Sequence, residues 1–185
     1  MNERKFVLTS FVALAVIFLV SAHFGYIAAK HDETLELILR KFFEGFRGFM
    51  DDPVVFMLVI FANNAIKSLV AMLGGFFFGI FPVLFMAANG YVLGVVLSLR
   101  EPEWGLTGVL MAILPHGILE IPAVLLACSY GVWLGAKFAE SLFKGEEFKP
   151  HLSKAIRVYV TLILPTLFVA AAVEVFITPM FVPKP

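Results

Sequence analysis

The sequence predicts an all-α, polytopic membrane bundle, and three observations carry that expectation. The chain is 61% hydrophobic and only 15% charged, whereas ordinary soluble domains are about 25% charged. Its mean hydropathy is +0.94. Its apolar residues gather into runs that can cross the roughly 30 Å hydrocarbon core, which takes about 20 helical residues. A single membrane domain covering 1–185 is expected, with about five transmembrane helices, one amphipathic surface helix and a proline-interrupted helix near Pro115.

Charge and cysteine content narrow the function classes. Lys+Arg and Asp+Glu are 14 each, for a net charge of zero, so the basic field that nucleic-acid binding needs is absent and no nucleic-acid partner is expected. The single cysteine, Cys128, excludes an internal disulfide and a cysteine-rich metal cage. Its apolar flanks mark it as a small buried hydrophobe.

The elements follow in order. After the charged lead Asn2-Glu3-Arg4-Lys5, residues 6–29 form the first span. The run exceeds the roughly 7–15 residues of a signal-peptide core, so it is expected to be retained. His23 falls near its far end, at the membrane interface. Residues 31–50 are too charged to span, but Leu35, Ile38, Leu39, Phe42, Phe43, Phe46, Phe49 and Met50 recur at three-four spacing. They predict an amphipathic interfacial helix that dips its phenylalanines into the bilayer, covers the mouth of the bundle or packs on its own protein. Asp51-Asp52-Pro53 then reads as a stop, an N-cap and a first-turn proline.

Residues 54–76 and 80–99 are the second and third spans, with the turn between Gly74 and Pro82. Gly75 with Gly79, Gly90 with Gly94 and Gly131 with Gly135 are small residues four apart, a spacing that lets helix backbones approach closely in lipid. A polar turn at 100–105 carries Trp104, suited to the interface. The apolar run 106–136 would measure about 46 Å as a straight helix, more than one crossing needs. Pro115 removes a backbone donor and disfavours helix at Leu114, which predicts a half-helix over 106–113, an interruption, and a full helix over 115–142. The basic connection carrying Lys137, Lys144, Lys149, Lys154 and Arg157 faces the cytoplasm by the positive-inside tendency. The last span is 155–177, with a kink at Pro165 and Glu174 near its end. Five crossings then place the N-terminus of a multi-pass cell-membrane protein in the cytoplasm.

Several polar residues fall inside these apolar runs: Asn63, Asn64 and Lys67 in the second span, Asn89 in the third, His116 and Glu120 in the fourth, and Glu174 in the fifth. Counted inward at 1.5 Å per residue, Asn63, Asn64 and His116 lie about 15 Å deep and Glu120 about 22 Å, so one shared polar cluster is expected. His116 and Glu120 are four apart and share a helix face. Ionisable groups at such depth are expensive, and that cost makes the pair a functional candidate. The plainer alternative is that such groups only hydrogen-bond neighbouring helices, for about 0.6 kcal/mol on average. No cofactor is required, but a divalent metal is a candidate: His116 and Glu120 can reach one ion, with a further ligand from Glu174, Asn63 or a partner chain. His-Glu-x-x-His, Gly-x-Ser-x-Gly and phosphate-cradling glycine loops are all missing, so no enzyme activity is expected.

Asn63-Asn64, the Gly75 to Pro82 spacing followed by Asn89-Gly90, the block Pro115-His116-Gly117-Ile118-Leu119-Glu120-Ile121-Pro122, and the closing Glu174-Val175-Phe176-Ile177-Thr178-Pro179 together resemble the stage II sporulation protein M family. That resemblance implies a multi-helix membrane protein whose founding member scaffolds cell-wall hydrolases during engulfment. It makes a non-enzymatic membrane scaffold the leading expectation, with membrane or cell-envelope protein partners. A small-solute or ion permease using a midplane His116/Glu120 site is the alternative. Besides the lipid bilayer, the expected partner is a second copy of the chain in a homo-oligomer, at least a dimer, because the glycine faces and phenylalanines offer more packing surface than five helices consume.

Overall fold

The computed structural model describes residues 2–31 and 51–181, with Thr34, Leu35, Leu37, Ile38 and Lys41 between them. Most of the expected amphipathic helix at 31–50 lies outside the described residues. The described chain is all helical, with four helices long and apolar enough to cross a membrane. The first, α1 (Glu3–Ala29), is capped by Asn2, whose side chain accepts from the Arg4 amide at 3.1 Å. Val7, Leu14, Phe18, Ala22 and Gly25 form its buried stripe, while Leu8, Val12, Val16 and Leu19 point outward. A helix that is apolar all round but buried on only one stripe suits a bundle surrounded by lipid.

Helix α2 (Pro53–Leu73) starts at Asp52, whose carboxylate accepts from the Val54 and Val55 amides at 2.8 and 3.2 Å, with Pro53 in the first turn. This cap meets amide donors that the helix cannot satisfy itself. The helix tightens into the 3₁₀ turn Gly74–Phe76, and the chain reverses through Phe78 and Gly79, both at positive φ.

The third helix, α3 (Ile80–Lys144), is interrupted only at Gly105, with φ 66° and ψ 162°. That backbone region is open essentially to glycine alone. The break folds α3 into a hairpin, with a first arm over residues 80–104 and a second over 106–144. Met86 of the first arm shares a buried cluster with Leu125 and Cys128 of the second, and Pro82 lies against Gly131. The sequence expectation is corrected here: helix continues through Pro115 and Pro122, with no interruption near Leu114. Reversal at Gly105 comes just before the apolar run, which then continues as one helix, because a membrane helix can absorb a proline when neighbouring groups satisfy the freed carbonyl. The predicted polar turn contracts in the same way, because residues 100–104 stay helical and Arg100 pairs with Glu103 at 3.0 Å.

The final span comprises α4 (Lys149–Val158) and α5 (Leu164–Phe176), joined by the π-helical segment Tyr159–Ile163 and followed by the 3₁₀ turn Thr178–Met180. The Leu164 amide donates to the Tyr159 carbonyl, five residues back. Pro165 has no amide to continue the α pattern, so the wide turn sits where the expected kink falls.

The second arm of α3 is central. It supplies Ala123, Ala127, Trp133 and Leu134 to a cluster with Val7, Met72, Tyr159, Ile163 and Leu167, and Leu125 and Cys128 to the cluster with Leu14, Phe18, Ala71 and Met86. Its glycines meet backbone directly. A Cβ on Gly135 would fall 2.2 Å from the Gly79 nitrogen, and one on Gly75 would fall 2.0 Å from the Gly131 carbonyl oxygen. On the other side, a Cβ on Gly94 would sit 1.8 Å from the Ala22 carbonyl oxygen of α1.

The connections separate to two ends of the bundle. One end joins Glu3 to Lys154 at 2.7 Å and packs Phe76 against Phe138 and Phe148. At the other, the Tyr26 hydroxyl donates to Glu101. There the Lys30 ammonium lies 4.3 Å from the Tyr26 ring centroid, and hydrogen bonding to Tyr26 holds its pKa above the ordinary lysine value.

Gly135→Ala is expected to lower the thermal unfolding midpoint, because overpacking a tight contact costs about 1–3 kcal/mol. Gly117→Ala should be neutral or stabilising, since its Cβ would meet only the Ile113 and Ile121 side chains at 3.5 and 3.6 Å and alanine favours helix by about 1 kcal/mol. Equal loss at both positions would contradict the backbone contact.

Candidate functional site: an intramembrane His-Glu-Glu cluster

Three elements build the site. The second arm of α3 carries His116 and Glu120 one turn apart, α5 brings Glu174, and α2 lines the same region with Asn63 and Asn64. His116, Glu120 and Glu174 each present one ligand atom such that all three atoms lie within 4.8 Å of one another. All three residues are half-buried. Glu174 is far from the other two in sequence, so their meeting is tertiary and depends on how α5 packs on α3.

Hydrogen bonds surround this core. The His116 Nδ1 lies 3.3 Å from the Thr178 hydroxyl, which donates to the Val173 carbonyl at 3.2 Å. A hydroxyl has one proton. With that proton on Val173, Thr178 accepts from Nδ1–H and the lone pair of the ring resides on Nε2. On the α2 side, Asn63 Nδ2 donates to Asn64 Oδ1 at 3.1 Å. The Lys67 charge also acts on Glu120, although the lysine itself is exposed. The carboxylates of Glu120 and Glu174 come together where α5 meets α3.

Asn89 does not join the group. It is exposed, and its amide donates to the Phe85 carbonyl of its own helix at 2.7 Å. The first arm of α3 turns Pro82, Met86, Gly90 and Gly94 inward. Asn89, about 100° around the helix from Gly90, therefore faces out. A shared depth along the helix does not fix the face. His23 is likewise exposed, edge-on to Phe24 at 6.2 Å between ring centroids.

Two features escape sequence reasoning. Thr178 reads as a helix stop, yet it lies four residues beyond Glu174 and orients His116. The second is a buried lock in which the Tyr159 hydroxyl donates to the Ala65 carbonyl and lies 3.2 Å from Ser68 Oγ. It ties the π segment to α2. A buried tyrosine hydroxyl needs a partner, and that requirement is the only clue the sequence offers.

The fold and its intramembrane polar cluster define a helical membrane protein, and comparison with known families assigns it further. Residues 14–179 match the family model of stage II sporulation protein M, and the chain belongs to that family. It is similar to two proteins of Methanocaldococcus jannaschii. One is the uncharacterized protein MJ0706, 30% identical over 130 residues that cover 66% of this chain and 52% of that protein. The other is the uncharacterized protein MJ0793, 31% identical over 124 residues that cover 65% of this chain and 69% of that protein. The chain thus spans about half the length of the first relative. No solved structure matches it.

Tyr159→Phe is expected to destabilise the protein by about 1–2 kcal/mol, because it leaves a buried carbonyl with one donor fewer. His116→Ala and Glu120→Gln should each lower thermal stability. Together they should cost less than the sum of the two, as residues of one network do. Strict additivity in a double-mutant cycle would separate the two side chains.

Proposed function

We propose that the chain is a non-enzymatic membrane scaffold of the stage II sporulation protein M type, which holds other membrane or cell-envelope proteins in place. The observation that carries this reading is the backbone-to-backbone packing of Gly75 and Gly79 on Gly131 and Gly135, and of Gly94 on α1. Helices joined this closely form one rigid body with little room to slide, which suits a platform better than a moving gate. Large apolar residues remain exposed at one end, Phe77 at 70% and Phe143 at 77%. Together with the outward faces of the bundle they offer surface for partners, including a second copy of this chain.

A permease is the second reading, favoured by the convergence of His116, Glu120 and Glu174 inside the span. The half-helix expected to create a transporter-like binding site is missing, because α3 runs on through Pro115. Orientation belongs to the same proposal. Arg4 and Lys5 share an end of the bundle with the basic segment from Lys137 to Arg157, which the positive-inside tendency assigns to the cytoplasm.

Reconstituted into liposomes, the protein should pass no more protons or monovalent and divalent cations than protein-free vesicles. Flux that disappears in Glu120→Gln would overturn the scaffold in favour of the permease. In nanodiscs and mild detergent its mass should be that of a dimer or larger, and a monomer in both would contradict self-association. In intact cells, on a Cys128→Ser background, an impermeant maleimide should label Glu103→Cys and spare Glu147→Cys. The reverse pattern would invert the orientation.

A further inference from the structure

We propose that His116, Glu120 and Glu174 form a binding site for one divalent first-row transition-metal ion, of the zinc or manganese kind, which staples α5 to the second arm of α3. The inference concerns the site itself and stands whether or not the scaffold reading does.

Four observations support it. The three ligand atoms lie within 4.8 Å of one another, and Glu174 reaches the His116–Glu120 pair of α3 from α5, so helical periodicity alone does not explain their meeting. Two acidic side chains are brought together in a half-buried, apolar setting, an arrangement costly in lipid that a shared cation matches. The donor set is one imidazole and two carboxylates, which suits first-row divalent ions, while the absence of thiolate disfavours soft monovalent copper. Finally, the chain from His116 Nδ1 through the Thr178 hydroxyl to the Val173 carbonyl leaves the Nε2 lone pair available. Metal-binding histidines are oriented in this way, with the other ring nitrogen donating to a fixed oxygen.

Three protein ligands leave at least one position open in a four-coordinate ion. That position can take water or a group from another molecule. The ion also explains why ionisable residues sit in α3 and α5 where apolar residues would pack more cheaply. It joins two helices whose contact otherwise rests on apolar side chains and the Thr178 hydrogen bond.

The test uses the full-length chain in nanodiscs, dialysed against zinc or manganese chloride and then against metal-free buffer, with elemental analysis of the protein. Wild type and Asn89→Ala should retain roughly one ion per chain. His116→Gln, Glu120→Gln and Glu174→Gln should fall to the level of the triple variant while keeping wild-type helical circular dichroism. Chelation should lower the wild-type thermal midpoint by several degrees, and returning the metal should restore it. The folded variants should not respond to either treatment. X-ray absorption at the metal edge of wild type needs no variant, and should show imidazole and carboxylate donors at about 2.0–2.2 Å. The proposal is overturned if wild type retains neither metal, if folded variants retain as much as wild type, or if the absorption shell holds only water oxygens. It is also overturned if Glu120→Gln stabilises the protein with no metal dependence in wild type, which would mean that a shared proton holds the two carboxylates together.

Discussion

The close approach of Gly75 and Gly79 to Gly131 and Gly135 is the contact on which the rest of the bundle depends. Lipid offers no hydrophobic drive to bring helices together, so association rests on dispersion and on how near the backbones can come. Where the Gly131 carbonyl would lie 2.0 Å from a Cβ on Gly75, no larger residue can stand without moving a helix. This contact seats the turn between α2 and α3 on the second arm of α3. The hairpin at Gly105 then returns the first arm to the same surface, and α1 closes over it through Gly90 and Gly94. With those pieces fixed, α5 packs where Glu174 faces His116 and Glu120.

Polar groups divide their work along this frame. Tyr159, Ser68 and the Ala65 carbonyl make a saturated lock with little scope for chemistry. The cluster around His116 differs, because it places carboxylates near one another and orients an imidazole through a hydroxyl. An arrangement of that sort carries an electrostatic cost in lipid. The cation proposed above would relieve that cost and make the contact between α3 and α5 cohesive.

The class of fold was legible in the sequence because a bilayer imposes length and apolarity on every crossing, and both can be counted. The Asp52 cap and the small-residue pairs were legible for the same reason, since each is a local requirement. The position of the break in α3 was not. Pro115 is the more conspicuous disruptor, yet proline removes only one backbone bond, while Gly105 adopts a backbone conformation that only glycine tolerates. Depth counting placed His116, Glu120, Asn63 and Asn64 near one level, and Glu174 was named as a ligand on chemical type. Asn89 was misplaced because depth says nothing about which face a residue occupies. Thr178 and Tyr159 were passed over because their partners are distant in sequence and only tertiary packing reveals them.

The central claim is that packing on the second arm of α3 brings α5 against it with Glu174 facing Glu120. Its most direct measurement is intrachain crosslinking of Glu120→Cys with Glu174→Cys, on a Cys128→Ser background, in native membranes with the shortest bis-methanethiosulfonate reagent. An intrachain product is expected, formed in high yield and absent when either cysteine is paired instead with Asn89→Cys. If no intrachain product forms, or if Asn89→Cys reacts as readily as its inward-facing counterparts, then α5 does not meet α3 at this site and the account is contradicted.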